Sequence, residues 1–252
     1  RDIIIKGPTG NFSMSKEFAC RGENISFQLK DTSGVSNFFW DMGDGNFKYG
    51  NPVNHTYQLM GEIYPKLILE SENKECVVAI SKKLNVYVVD ANFSISDTGL
   101  CATYPIKLIN NSNGNDLNIW TIPGYPMLFD KEPEIKFNNP GTYNIKLIVK
   151  NLFNCSDTMN KQISIFSLPE IMTCNDTLIC EGDTIMLFAS GGNSIRWYPS
   201  EGLDNPNNYF TKAYPVKTTF YVPVVVDEIS GCRNKDTVKV FVQNYPRLNL
   251  HP

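Results

Sequence analysis

Histidine is almost missing from this chain: two in 252 residues, His55 and His251. That scarcity excludes Ser-His-Asp and Cys-His nucleophilic sets and leaves zinc short of nitrogen ligands. No C-x2-C, H-E-x-x-H, G-x-S-x-G or G-x-x-x-x-G-K-[ST] occurs. There is no basic tract, and a net charge of -3 argues against a nucleic-acid partner. No run approaches the 18 apolar residues of a membrane helix, so membrane insertion is not expected. Long helical patterns are also lacking. The chain opens Arg-Asp-Ile with neither Met nor a signal peptide, so a processed chain or a piece of a longer one is expected. Paired carboxylates such as Glu132 and Glu134 are candidates to weigh. They sit in "DKEPEIKF", which reads as an exposed, proline-containing edge rather than a glycosidase pair. No catalytic residue, metal or cofactor is expected.

What the chain does have is 42% hydrophobic residues, only 19% charged, and short β-rich runs broken by Asn, Gly, Pro and Ser. This is an all-β composition with enough apolar material for packed cores. It also has an internal repeat. Cys20, Cys101 and Cys180 are spaced by 81 and 79 residues, and Cys76, Cys155 and Cys232 by 79 and 77. Trp40, Trp120 and Trp197 precede the second cysteine of each set by 36, 35 and 35. After each first cysteine an alternating strand is predicted: Ile25, Phe27, Leu29; Ile106, Leu108; Ile185, Leu187, Ala189. A later strand recurs as "GEIYPKLIL", "GTYNIKLIV" and "TTFYVPVVV", then a turn and a last strand. Seven or so short strands in about 79 residues imply a small two-sheet sandwich. The expected domains are 8–88, 89–167 and 168–246. Residues 1–7 read as the tail of a preceding repeat, because Ile3–Ile5 align with Leu84–Val86, and 247–252 as the start of a following segment.

"FFWDMGDGNF" at 38–47, "NHTY" at 54–57 and the strand after Gly61 resemble the polycystic kidney disease (PKD) domain family. The second copy loses the Asp-Gly turn but keeps "NPGTYNIKLIV". The third is similar to PKD-like or Ig-like repeats of secreted Bacteroidota proteins. The resemblance implies three tandem Ig-like sandwiches forming a rod. It also implies a host protein of the adhesin or gliding-motility kind, exported by the type IX route. In that frame Trp40 is core, and Asp41, Gly43, Asp44 and Gly45 form the reversal after it, with glycines at positive φ and aspartates bonding backbone amides. The run fails as a calcium loop because Gly43 stands where an oxygen ligand is needed. His55 packs or caps near the turn. Tyr57, Trp120, Tyr143, Trp197 and Tyr221 are the other structural positions.

The six repeat cysteines pair naturally within each repeat, as Cys20–Cys76, Cys101–Cys155 and Cys180–Cys232, with Cys174 left over as a small, partly buried thiol, an intermolecular bridge or an exchange partner of Cys180. Such bridges imply an oxidising compartment, hence an extracellular or cell-surface location. Bridges crossing between repeats, or six free thiols, would be expected to sink the repeat alignment, and the stalk reading with it. Seven N-x-[ST] sequons, at Asn11, Asn24, Asn54, Asn92, Asn110, Asn154 and Asn175, are what an Asn-rich chain yields by chance. Asp-Thr pairs make Thr158, Thr177, Thr184 and Thr237 glycosylation candidates, although Asp-Thr also simply opens strands. "FFW", "YPMLF" (125–129) and "NYF" (208–210) read as core or as a carbohydrate platform, and segment 111–133 is the expected place for a binding loop. The leading expectation is a semi-rigid, non-catalytic stalk on the order of 100 Å long. Its partners are neighbouring repeats of the same chain, with a surface polysaccharide or outer-membrane anchor protein as further candidates. The alternatives are a polysaccharide- or protein-binding module and an accessory array of an extracellular hydrolase.

Overall fold

The computed structural model describes residues 7–72, 75–96 and 100–243. The expected tail segments 1–7 (apart from Gly7) and 247–252, with His251, lie outside the described residues. Among the described residues there are 24 strands and no helix. The all-β expectation therefore holds, and its strands build tandem sandwiches.

The first repeat supplies β1 (Thr9–Met14), β2 (Phe18–Cys20), β3 (Asn24–Ser33), β4 (Asn37–Asp41), β5 (Phe47–Lys48) and β6 (Val53–Thr56). It continues with β7 (Gly61–Ile63), β8 (Lys66–Glu70), β9 (Val77–Ser81) and β10 (Leu84–Tyr87). One sheet runs β1-β3-β6; β5-β4-β8-β9 and β2-β10-β7 make up the opposing face. The run "GEIYPKLIL" is split because Pro65 has no amide to give, and its carbonyl instead accepts Lys82 N at 3.2 Å. Period-two alternation buries Ile25 and Phe27 on one sheet, and Leu67 and Leu69 on the other, all at 0% exposure. With Phe12, Trp40 and Tyr57 they form one continuous core.

The second repeat supplies β11 (Phe93–Ile95), β12 (Pro105–Asn110), β13 (Leu117–Thr121), β14 (Glu134–Lys136), β15 (Gly141–Lys150) and β16 (Ser156–Ile165). Their orders are β11-β12-β14 and β13-β15-β16. In β15 the buried residues are Ile145, Leu147 and Val149, the face its alternation predicts.

The third repeat supplies β17 (Met172–Thr173), β18 (Thr177–Cys180), β19 (Ile185–Ser190), β20 (Ser194–Tyr198) and β21 (Phe210–Ala213). It ends with β22 (Thr219–Val226), β23 (Arg233–Lys235) and β24 (Val238–Gln243). Its sheets repeat the plan of the first, β17-β19-β21 and β18-β24-β22-β20. Its core is built on Leu187, Trp197, Tyr221 and Val240.

Compactness divides the chain differently from its sequence repeats. One unit comprises Arg1–Ser94, Asn110–Lys131 and Lys146–Asn160; the other comprises Ile95–Ile109, Glu132–Ile145 and Lys161–Pro252. The middle repeat contributes to both.

Candidate functional site: staggered bridges and the turns behind the tryptophans

The three tryptophans are fully buried, and each indole N–H finds a backbone carbonyl at the far side of the turn that follows it. Trp40 Nε1 donates to Gly50 O, Trp120 Nε1 to Asp130 O and Trp197 Nε1 to Asn208 O, each at 3.0 Å. A buried indole needs such a partner, and the equivalence of all three supports the repeat register independently of cysteine. Phe12 meets Trp40 edge-on at 5.4 Å, as Phe93 meets Trp120 at 5.1 Å.

In the first repeat the turn is held by its own carboxylates. Asp41 Oδ1 accepts Gly43 N at 2.9 Å, Asp44 Oδ1 accepts Asn46 N at 3.1 Å, and Met42 N closes the hairpin on Asn46 O at 2.9 Å. Gly43 has φ +77°, and a Cβ there would stand 2.9 Å from Tyr64 O. Gly45, at φ +90°, completes the reversal. Asp44 Oδ2 lies 2.7 Å from His55 Nε2, both side chains being about nine-tenths buried. Burial pushes the Asp44 carboxyl up, but the hydrogen bonds from His55 and Asn46 outweigh it and hold it below the usual aspartate range. His55 packs edge-on to Tyr57 at 4.7 Å, and the buried Tyr57 hydroxyl donates to Met42 O. Burial, with Asp44 and Asp41 nearby, pushes that phenol up. The two aspartates, His55 and the Tyr57 hydroxyl are therefore all engaged around the turn. Among the described residues no cluster of His, Cys, Asp and Glu is suited to a metal.

Segment 111–133 is mostly hairpin. Trp120 and Leu128 exchange both backbone hydrogen bonds, and Tyr125 N closes on Ile122 O at 3.0 Å across Pro123-Gly124, with Gly124 at φ +83°. This is the Pro-Gly turn that replaces the Asp-Gly one. Met127 and Phe129 remain exposed on it. Tyr143 packs on Phe137 at 4.3 Å and donates to Asn139 O. In the third repeat the Tyr221 hydroxyl donates to Glu201 O, and burial raises its pKa.

The bridges correct the sequence reading. They join Cys20 to Cys155 and Cys101 to Cys232, with Cα atoms 5.4 and 5.7 Å apart; Cys76, Cys174 and Cys180 are thiols. The pairs Cys20–Cys76, Cys101–Cys155 and Cys180–Cys232 do not form. The reason is a parallel strand pair that alternation does not reveal. Cys20 lies opposite Tyr87 at the end of the last strand of its repeat, and Cys180 opposite Gln243. Cys101 bridges to Phe166 in the same parallel sense. Eleven residues separate Cys76 from Tyr87, Cys155 from Phe166 and Cys232 from Gln243. At about 3.3 Å per residue that is roughly 36 Å of strand, against a Cα limit of about 7 Å for a disulfide. The first cysteine therefore stands where the chain leaves its repeat, and the second at the opposite end. Each bridge runs from the first cysteine of one repeat to the second cysteine of the next, within one compact unit. Crossing bridges are the outcome expected to sink the register, and that expectation fails: both bridges cross by the same offset, and the three tryptophan anchors keep the register without cysteine.

Around Cys20–Cys155, Tyr87 stacks on Phe153 at 3.9 Å, with Phe18 against the same ring at 5.5 Å. Asp157 Oδ2 accepts Ala91 N at 2.8 Å, and Arg21 pairs with Asp90. Near Cys101–Cys232 the Tyr104 hydroxyl donates to Arg233 O at 2.9 Å.

Three glycines escaped the sequence reading. Gly34, Gly114 and Gly191 all have positive φ and lie against the segment entering their repeat. A Cβ on Gly114 would fall 2.2 Å from Val88 O, and one on Gly191 would fall 1.8 Å from Glu170 O. Their spacing of 80 and 77 was the available signal.

Cys174 has an equally local explanation. It lies six residues before Cys180, as Met14 and Ile95 lie before Cys20 and Cys101. Met14 and Cys174 both pack against the core of their repeat, and Cys174 Sγ accepts Phe188 N at 3.4 Å. The thiol fills an apolar position.

The remaining candidates scatter. Glu132 pairs with Lys107 at 2.8 Å, while Glu134 is exposed on β14. Thr158, Thr184 and Thr237 are exposed and Thr177 is half-buried. The preceding aspartates capture backbone amides: Asp176 takes Lys239 N, Asp183 takes Cys180 N and Asp236 takes Thr237 N. Of the aromatic runs, Phe39 groups with exposed Phe47 and Tyr49 at 6.3 and 6.1 Å, and Phe188 with exposed Phe210 at 4.8 Å. No described helix is long and apolar enough to cross a membrane.

No family model and no curated protein matches the chain. Solved structures do. Three N-terminal domains of the highly immunogenic outer capsid protein of bacteriophage RB49 align over 95% of this chain and 100% of theirs, at 11% identity and a TM-score of 0.43. The PKD1 domain of Vibrio anguillarum Epp aligns over 31% of this chain and 92% of its own, at 20% identity and 0.27. A Bacteroides ovatus mixed-linkage glucan utilization locus protein, SGBP-B, solved with a heptasaccharide, aligns over 96% and 72%, at 10% identity and 0.26.

Proposed function

We propose that this chain is a non-catalytic spacer segment of an extracellular surface protein. It is built from three sandwich repeats, 8–88, 89–167 and 168–246, that extend as a semi-rigid rod. The observation that carries the reading is the pair of staggered bridges. Each ties one repeat covalently to the next and requires an oxidising environment for its formation. Chain-entropy arguments assign about 5 kcal/mol to loops of this length. A device of that kind suits a module whose task is to hold others at a distance. An adhesin of the gliding-motility, type IX-exported kind remains the host that the sequence resemblance favours, with neighbouring repeats as first partners.

The test is small-angle X-ray scattering before and after reduction. A maximum dimension on the order of 100 Å that blurs or broadens on reduction supports the spacer. A compact particle of unchanged dimensions in both states overturns it.

A second reading rests on the exposed Phe39, Phe47 and Tyr49 group, which offers ring faces to a polysaccharide. Affinity electrophoresis in gels containing bacterial surface glycans or mixed-linkage glucan checks it. Retardation lost in Phe47→Ala with Tyr49→Ala supports a binding module; unretarded migration of the native chain removes it.

A further inference from the structure

Two thiols stand at positions that are bridged elsewhere in the same chain. Cys180 is the third-repeat equivalent of Cys20 and Cys101; Cys76 is the first-repeat equivalent of Cys155 and Cys232. We propose that Cys180 and Cys76 are half-cystines of a continuing ladder. Cys180 takes the second-position cysteine of a following repeat, and Cys76 takes the first-position cysteine of a preceding one. This deepens the repeat-array reading and rests on it.

The local frames support the equivalence. At Cys20 the amide donates to Glu23 Oε2 at 3.0 Å, and Glu23 N returns to Cys20 O at 2.9 Å. At Cys180 the amide donates to Asp183 Oδ2 at 3.2 Å, and Asp183 N returns to Cys180 O at 3.0 Å. The next amide closes on the last strand in all three repeats: Arg21 N on Tyr87 O, Ala102 N on Phe166 O, Glu181 N on Gln243 O. The other position is equally constant. Ser71 N, Asn151 N and Asp227 N donate to the carbonyls of Cys76, Cys155 and Cys232. The bridged and unbridged cysteines thus occupy the same two turns.

A second observation concerns what meets each turn. Beside Cys101 the turn residue Tyr104 is engaged by Arg233, adjacent to the bridged Cys232. A recess of about 760 Å3 borders that bridged turn, and the equivalent turn at Cys180 borders one of about 320 Å3 lined by Leu178, Ile179, Asp183, Thr184, Ile185 and Gln243. Leu178 is 62% exposed on its edge. Cys76 is half-buried, a Cβ added at Gly7 would stand 4.0 Å from its Cβ, and Val77 is 57% exposed beside it. Native bridges span 135 and 131 residues, so either partner falls outside these 252 residues. Cys174 stays out of the ladder because it fills a core-facing position.

Formation of each rung removes two protons and two electrons from a pair of thiols. With oxidised glutathione as acceptor, one cysteine thiolate attacks the glutathione disulfide and expels a glutathione thiolate. The partner thiolate then attacks the mixed disulfide and expels the second, leaving one protein disulfide and two reduced glutathione molecules.

The experiment is a duplicated chain, residues 1–243 followed directly by residues 7–252. By sequence register Lys6 matches Gln243, so the fusion keeps the repeat phase. It separates Cys180 of the first copy from Cys76 of the second by a length between those of the two native bridges. Refolding in a glutathione redox buffer and mapping peptides without reduction is expected to show one new Cys180–Cys76 bridge at the fusion. The outer Cys76 and outer Cys180 should stay alkylatable, as should both Cys174 residues. Cys180→Ser in the first copy should remove that peptide and leave the native bridges intact. Native bridges present with the fusion cysteines still reduced, or a Cys174–Cys180 bridge in their place, would overturn the proposal. Those outcomes leave the spacer reading standing, since that reading is settled by scattering on the undivided chain.

Discussion

The first and second repeats solve the same problem with different chemistry. Each must reverse the chain after a buried tryptophan and bring a carbonyl back to its indole. The first does so with Asp41, Gly43, Asp44 and Gly45, locked to His55. The second uses Pro123-Gly124 and no carboxylate at all, yet Trp120 Nε1 reaches Asp130 O at the same 3.0 Å. The invariant feature is therefore the captured indole, and the turn is a replaceable means. An aspartate-glycine run that could pass for a site is one of two ways to close a hairpin.

The comparison breaks most visibly if the indoles are unequal. Trp40→Ala and Trp120→Ala should each cost about 3–5 kcal/mol in their own repeat, from the volume lost in a fully buried core. Because each variant deletes its own indole, the backbone amide signals of Leu67 and Leu147, buried in the first and second repeats, report the repeats separately in an NMR spectrum during urea unfolding. Where the tryptophans are kept, their indole N–H signals do the same. A small effect at either tryptophan would show that its repeat is held by something other than this anchor.

The next effect separates the turns. Gly43→Ala forces a Cβ to within 2.9 Å of Tyr64 O at φ +77°, and should destabilise the first repeat by about 2–3 kcal/mol through combined overpacking and left-handed strain. The glycine of the Pro-Gly turn has no such neighbour: a Cβ on Gly124 finds nothing within 4 Å. Equal losses at the two glycines would erase the distinction.

The carboxylate gives the first repeat a pH dependence that the second turn has no means to share. Asp44 is held below its ordinary range in the folded state, so its contribution is present above the unfolded value of about 3.9. It is lost as pH falls through the lower folded value. The Trp40 signal should therefore lose stability on acidification below about pH 4, a loss that Asp44→Asn flattens. At neutral pH the same variant should cost about 1–2 kcal/mol through the charge-assisted bond to His55. An acid-insensitive difference between native and Asp44→Asn would remove the pair from the account.

Much of this was legible in the sequence, for physical reasons. Period-two burial at Ile25, Phe27, Ile145 and Leu147 follows from alternation, and the Trp spacing fixed the repeat before any pairing was known. The bridges were not legible. Spacing gives the phase of Cys20 and Cys76 but not the direction of β2, and its parallel pairing with β10 sends the two cysteines to opposite ends. Nor could segment 111–133 be seen as a hairpin without knowing that Leu128 returns to Trp120. Its apparent irregularity is a longer return, with Asp130 supplying the acceptor.

The smallest effects test whether the second turn is as replaceable as the comparison implies. Gly124 sits at φ +83° in open space, so Gly124→Ala meets only conformational strain, about 1 kcal/mol. Pro123→Ala leaves the turn geometry accessible and costs about 0.4–1 kcal/mol by freeing the unfolded chain. Both should shift the Trp120 signal slightly in urea and leave Trp40 where it is. Replacing Pro123 and Gly124 together with Asp-Gly should recover most of the loss, since a different turn can still deliver the acceptor. A loss much larger than the sum of the single changes, with the indole exchanging rapidly, would mean that Pro123 and Gly124 position Asp130 specifically. The second repeat would then depend on its turn as closely as the first depends on Asp44 and His55.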